Sequence, residues 1–244
     1  ATARPAVGGA AACGAGASLL WSGSTKGTLR VWDTNGDAMG TLSVPHGRMP
    51  GKVRALALAV LRSGGAQVWS AGNSAVHVWD ADSGNWEVTL RAAAPGAARA
   101  PKVKCLLCIP SDCTSYTQTV WAGTGDGRVQ VWDAESRGLV ASVGVSACKL
   151  TALALVGKQH VWAGDAEGTV SIVRTRDRVV LRAARLHVHA ISALLVVSDA
   201  GLLRPAPAVP IQASADERAQ SRASSAADKG DEASGAGART GAGA

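Results

Sequence analysis

The chain has 244 residues, 47% of them hydrophobic, which is enough to bury a substantial core in one or two domains. Its longest apolar runs, such as LTALALVG and ISALLVV, are far too short for a membrane-spanning helix, and no secretory signal pattern opens the sequence. The formal net charge is +7, which favours acidic partners over basic ones. Five cysteines (Cys13, Cys105, Cys108, Cys113 and Cys148) are odd in number and scattered, which argues against a disulfide scaffold and points to a reducing, cytoplasmic setting. Phe is absent and Ala is far above ordinary usage, so Ala richness reads as coding bias rather than helix. The chain opens at Ala1 rather than Met, as a fragment or processed product would.

Residues 1–17 are mostly Ala and Gly with no apolar period and are expected to be flexible. From Leu20 a unit begins that recurs three times. The copies are LWSGSTKGTLRVWDTNGDAMGTL from Leu20, VWSAGNSAVHVWDADSGNWEVTL from Val68, VWAGTGDGRVQVWDAESRGLVASV from Val120 and VWAGDAEGTVSIVRTRDRVVLRA from Val161. One column holds Trp21, Trp69, Trp121 and Trp162, spaced by 48, 52 and 41 residues. A second holds Trp32, Trp79 and Trp132, with Val173 in the fourth slot.

Each unit reads as four strands. The runs KVRALALAV and KLTALALVG, apolar on both faces, suit a first strand buried on both sides. A second strand (QVWSAG, TVWAG), a short Gly- or Asn-containing turn and a third strand (AVHVWD, RVQVWD) form a hairpin. A shorter strand such as WEVTL closes the unit. Four strands in roughly 40–50 residues are the signature of a β-propeller blade. A further first strand is expected at HAISALLVV. After about Arg204 the composition turns to Ala, Gly, Ser and Pro, so 204–244 is expected to be a disordered tail and 18–203 the folded domain. Within the tail, RAQS and RASS place Arg before Ser221 and Ser224 at spacings basophilic kinases use.

The Trp-Asp pairs Trp32-Asp33, Trp79-Asp80 and Trp132-Asp133 give a specific resemblance: residues 19–200 are similar to a WD-repeat β-propeller. The resemblance implies an all-β fold of about four recognisable blades, incomplete or open, in a eukaryotic protein-binding scaffold. It also implies a polar tie in each blade between a His, a Ser or Thr, a turn Asp and the Trp. Only pieces of that tie are present. Ser22 and Ser70 fill the hydroxyl slot, Ala122 and Ala163 replace it, Asp126 fills the turn slot, and His46 and His187 stand near the histidine position. Apolar packing is therefore expected to hold the blades together.

Chemistry-bearing motifs are sparse. GTGDG at 123–127 has no following Lys-Ser/Thr and no helix to hold a phosphate, so it reads as a hairpin turn. Cys105 and Cys108 would point to opposite faces of a strand, which favours free buried thiols over a zinc site, and His187 with His189 reads as structural. No metal, cofactor or catalytic constellation is expected, and the chain reads as a non-enzyme. The first-column tryptophans read as packing rather than a ligand cage, and Trp86, outside both columns on an outer strand, is the tryptophan expected to be partly exposed.

The connections between units are taken as 43–54, 91–104, 144–149 and 182–189. They hold Arg48, Lys52, Arg54, Arg91, Arg99, Lys102, Lys104, Lys149, Arg182 and Arg185 and no acid. Asp33, Asp37, Asp80, Asp82, Asp133 and Glu135 are expected at the opposite end. The expected function is a non-catalytic scaffold that presents Arg48, Lys52, Arg91, Arg99, Lys102, Arg182 and Arg185 to an acidic or phosphorylated protein. The alternative is a regulatory segment of a larger signalling enzyme that meets phosphoinositides. The VWAG…VWD form is similar to propellers preceding some inositol-polyphosphate phosphatases and in some large signalling scaffolds. Nucleic acid ranks below both, because no aromatic residues interleave the basic ones.

Overall fold

The computed structural model describes residues 18–42, 51–92, 100–111 and 117–197. Ala1–Val196 forms one unit, and of the second, Val197–Ala244, only Val197 is described. The expectations for the two flanking segments, for Ser221 and Ser224, and for Arg48, Arg99, His46, Cys13 and Cys113 lie outside the described residues.

Four antiparallel sheets follow one another along the chain. The first holds β1 (Leu20–Gly23), β2 (Leu29–Trp32) and β3 (Ala38–Leu42). The second holds β4 (Ala55–Val60), β5 (Ala66–Gly72), β6 (Ala75–Asp80) and β7 (Trp86–Arg91). The third holds β8 (Val103–Ile109), β9 (Thr119–Thr124), β10 (Arg128–Asp133) and β11 (Leu139–Gly144). The fourth holds β12 (Leu150–Val156), β13 (His160–Asp165), β14 (Thr169–Arg174) and β15 (Val180–Arg185). Each is a meander in chain order, so every strand after the first pairs with its predecessor. Among the described residues, no helix is long and apolar enough to cross a membrane.

The units share detail beyond strand count. In all four sheets the register between the last two strands shifts at the second tryptophan column: at Val31/Trp32, Val78/Trp79, Val131/Trp132 and Ile172/Val173. A bulge there re-aims the side chain and bends the outer strand. The Asp of each Trp-Asp pair caps the turn that follows. Asp33 Oδ1 accepts from Asn35 N and Asp37 N, and Asp80 and Asp133 accept from Ser83 and Ser136 respectively. The amide of Asp37 holds Asp33 below the usual carboxylate range against the cost of burial, with Asn35 and Gly36 adding smaller contributions.

The sheets pack face against face through tryptophans. Trp21 from the first sheet and Trp79 from the second share a cluster with Leu29, Val68 and Leu42. Trp69 from the second and Trp132 from the third share the next, with Val78, Val103 and Val120. Trp121 from the third meets Val173 from the fourth, with Val131, Leu150 and Val161. One column therefore faces forward along the chain and the other faces back. Each fully buried tryptophan removes about 150–250 Å² from water, on the order of 4–6 kcal/mol as an upper estimate. Polar ties supplement this in the first two sheets, where Trp32 Nε1 donates to Ser22 Oγ (2.8 Å) and Trp79 Nε1 to Ser70 Oγ (2.9 Å). The third and fourth sheets have Ala122 and Ala163 in that slot.

One expectation is corrected. The run at HAISALLVV is not a strand: after β15 no described residue pairs in a sheet, because no second described strand lies beside it. Trp86 is half-buried, the partial exposure expected of it, with Nε1 donating to Thr89 Oγ1, and Trp21, Trp32 and Trp162 in the two end sheets are half-buried too.

Replacing Ser70 by Ala strands the buried Trp79 N–H, a loss of about 1–3 kcal/mol. The denaturant midpoint should fall at unchanged slope. A midpoint equal to the parent's would show that the tie carries no stability.

Candidate functional site

The first strands of successive sheets lie beside one another, β4 next to β8 and β8 next to β12. Their starts therefore converge, and each start is basic: Lys52 and Arg54 before β4, Lys102 before β8 with Lys104 inside it, and Lys149 before β12. Lys104 feels the positive charges of Arg54, Lys102 and Lys149 together. Partial burial first, then these three neighbours, hold its ammonium pKa below the ordinary lysine value. The ion pairs Arg137–Glu87 and Arg174–Asp177, each at 2.7 Å, lie outside this cluster.

The hairpin turns beside these starts shape the cluster. Gly125 N donates to the Lys102 carbonyl at 2.7 Å, and a Cβ on Gly125 would meet the Lys104 stem at 3.5 Å. The next glycine, Gly127, has φ +78° and carries the outgoing connection: its carbonyl accepts from Val145 N and Ser146 N, both at 3.0 Å. Gly168 (φ +85°) does the same for Leu186 and His187. In both, a Cβ would strike the carbonyl of the passing chain, at Ser146 and at His187 respectively. Asp165 finishes β13 as a buried carboxylate. Burial pushes its pKa up, but the Ser146 hydroxyl and the Thr169 and Glu167 amides more than offset this. Asp126 and Glu167 are exposed acids at this end, so the positive field is strongest over the first strands and weaker over these turns.

Of the sequence-derived binding residues, Lys52, Arg91, Lys102, Arg182 and Arg185 are described, and they take different places. Lys102 joins the central cluster, and Lys52 is exposed before β4. Arg91 and Arg185 end the outer strands β7 and β15 at the same end of the sheets and are exposed. Arg182 is not in a connection: it sits within β15 opposite Ile172, on the face that carries Trp162. Arg54, Lys104 and Lys149 belong to the cluster but not to the seven residues expected to bind, although the sequence shows a basic residue recurring at the start of each first strand. The opposite end is mixed rather than acidic, because Arg62, Arg137, Lys158, Arg176 and Arg178 join the acids there.

Cys105 and Cys108 are packing groups. Cys105 lies against Gly123 beside Leu150, and burial pushes its thiol up to about 12. Cys108 packs on the other face, between the second and third sheets, and burial raises it to about 11. His187 and His189 are exposed, and among the described residues no group of three His, Cys, Asp or Glu side chains could hold a metal ion.

No family model matches the chain, and no curated protein matches it. Among solved structures, the chain resembles the computationally designed Ika8 protein at 23% identity and a TM-score of 0.55. The match covers 73% of this chain and 50% of that one, so it extends over half the designed protein's length. At that identity the likeness is one of fold alone.

A bound polyanion should return Lys104 toward its ordinary proton affinity, so binding takes up protons. Folded Lys104 sits below its unfolded pKa, so its charged form costs stability below the folded value, and that cost disappears as pH rises through it. Tripolyphosphate should therefore bind more weakly as pH climbs toward the lysine range of about 10. Titration calorimetry at about pH 9, in two buffers of different ionisation enthalpy, reads the uptake directly. Identical heats in both buffers would show that Lys104 does not face the bound anion.

Proposed function

We propose that this chain is a non-catalytic binding module of the WD-repeat propeller kind, whose basic sheet end receives an acidic or phosphorylated protein segment. The observation that carries the reading is the convergence of Arg54, Lys102, Lys104 and Lys149 at the starts of adjacent first strands, where partial burial and then the three neighbouring charges lower the Lys104 pKa. Like charges held together on rigid strands cost free energy that only an anionic partner recovers. The support for the propeller reading is the fourfold strand meander, the bulge repeated at one column and the adjacency of first strands.

A ligand seated here would meet the exposed Lys52 and the ends of β7 and β15 at Arg91 and Arg185 as outlying contacts. The middle four side chains would give charge-assisted hydrogen bonds to phosphate or carboxylate oxygens. A cluster built on strand starts needs little reordering on binding, which favours affinity.

The paired substitution Lys104→Glu with Lys149→Glu tests this. Affinity for a doubly phosphorylated acidic peptide should fall by roughly tenfold or more, and the salt dependence of binding should flatten. Arg62→Glu at the opposite end should leave binding unchanged. Equal peptide affinity in the paired variant would overturn the reading. Binding to phosphoinositide vesicles that fails in the variant, with no peptide binding in the parent, would move the site to a membrane surface.

A further inference from the structure

The two ends of the sheet row are each other's missing halves. Among the described residues the first sheet has three strands where the others have four, and no first strand pairs with the free edge of β1. At the other end, residues 186–197 run on past β15 without a sheet partner among the described residues. That segment nevertheless begins where a next first strand begins. Ile191 N donates to the Asp165 carbonyl at 3.0 Å, as Val53 N does to Ser24 (3.0 Å) and Val103 N to Asn73 (2.5 Å). Ile191 packs on Gly164 as Val53 packs on Gly23 and Leu150 on Gly123. It joins Trp162 and Leu194 in a cluster that is the start of a further interface.

The tryptophan columns make the same statement. Each internal interface uses a forward-facing first-column tryptophan and a second-column residue facing back. Two tryptophans are left over: Trp162, facing forward from the fourth sheet, and Trp32, facing back from the first. Trp32 lies with Ser22 and Arg30 in an open depression, on the face away from the second sheet. No buried apolar cluster among the described residues joins the fourth sheet to the first, so among those residues neither surface is covered. Leu195 is 88% exposed, Val196 39% and Leu20 65%.

We propose that a second copy of this chain closes the row head to tail: residues 191–196 of each copy add as the first strand beside β1 of the other, and Trp162 of each packs toward Trp32 of the other. The internal sheets set the register. Ala57 faces Trp69, Leu107 faces Trp121 and Ala154 faces Trp162, so Leu195 falls opposite the other copy's Trp21. By the same alignment Val196 falls opposite Leu20 and Ala193 opposite Gly23. The addition pairs an exposed strand edge and covers the apolar run beside it. Two such junctions related by a twofold axis close the assembly, so it stops at two copies. The matched designed protein agrees in scale, since the likeness takes up only half of that chain.

The chain carrying Leu20→Cys and Val196→Cys should oxidise to a covalent dimer on a non-reducing denaturing gel, which neither single variant does. Light scattering on the parent should give twice the 24.6 kDa chain mass. Leu195→Asp, at a position exposed within one copy, should leave the circular dichroism unchanged and halve that mass. An internally cross-linked monomer, a parent that runs as a monomer, or a ladder of larger species would each overturn the two-copy closure.

Discussion

The contact on which the structure depends is the meeting of tryptophans between neighbouring sheets. A three- or four-stranded meander cannot bury both of its faces by itself, and here both faces are apolar. Trp69 and Trp132, from adjacent sheets, fill one gap, and Trp21 with Trp79 fill the gap before it. Because the forward and backward columns sit on neighbouring strands of one hairpin, a single hairpin supplies both faces of its sheet. The fourth unit departs from this only by Val173, and that smaller side chain sits opposite Trp121.

The turns then follow from the need to keep the sheets close. Gly127 and Gly168 lie where the chain leaving the fourth strand crosses the central hairpin, and any side chain there would meet its backbone. The glycines of GTGDG are thus turn and packing residues. They let the backbone of Lys102 and the stem of Lys104 come down onto the hairpin. The basic cluster is accordingly a product of sheet packing: the charges come together because the first strands do.

Much of this was legible in the sequence. Two tryptophan columns at recurring spacing marked the units, and the alternation around Trp79 and Trp132 marked a hairpin. The opposite placement of Cys105 and Cys108 followed from strand geometry alone. What escaped was set by partners distant in the chain. Arg182 reads like loop because VVLRAAR is weakly patterned, yet pairing with β14 makes it strand. HAISALLVV has the composition of a first strand, but a strand exists only where another lies beside it. Lys104 stood in a visible Lys-x-Lys repeat, and its meeting with Arg54 and Lys149 depends on how the sheets are set against each other.

The central claim is that paired tryptophans from adjacent sheets hold the row together, and a double-mutant cycle tests it most directly. Trp69→Leu and Trp132→Leu should each lower unfolding free energy, and the double variant should lose less than the sum, with a coupling of about 0.5–3 kcal/mol. Trp69 and Trp121 lie in different interfaces, so the same substitutions at that pair should be additive within about 0.5 kcal/mol. Additive losses for Trp69 and Trp132 would contradict the account.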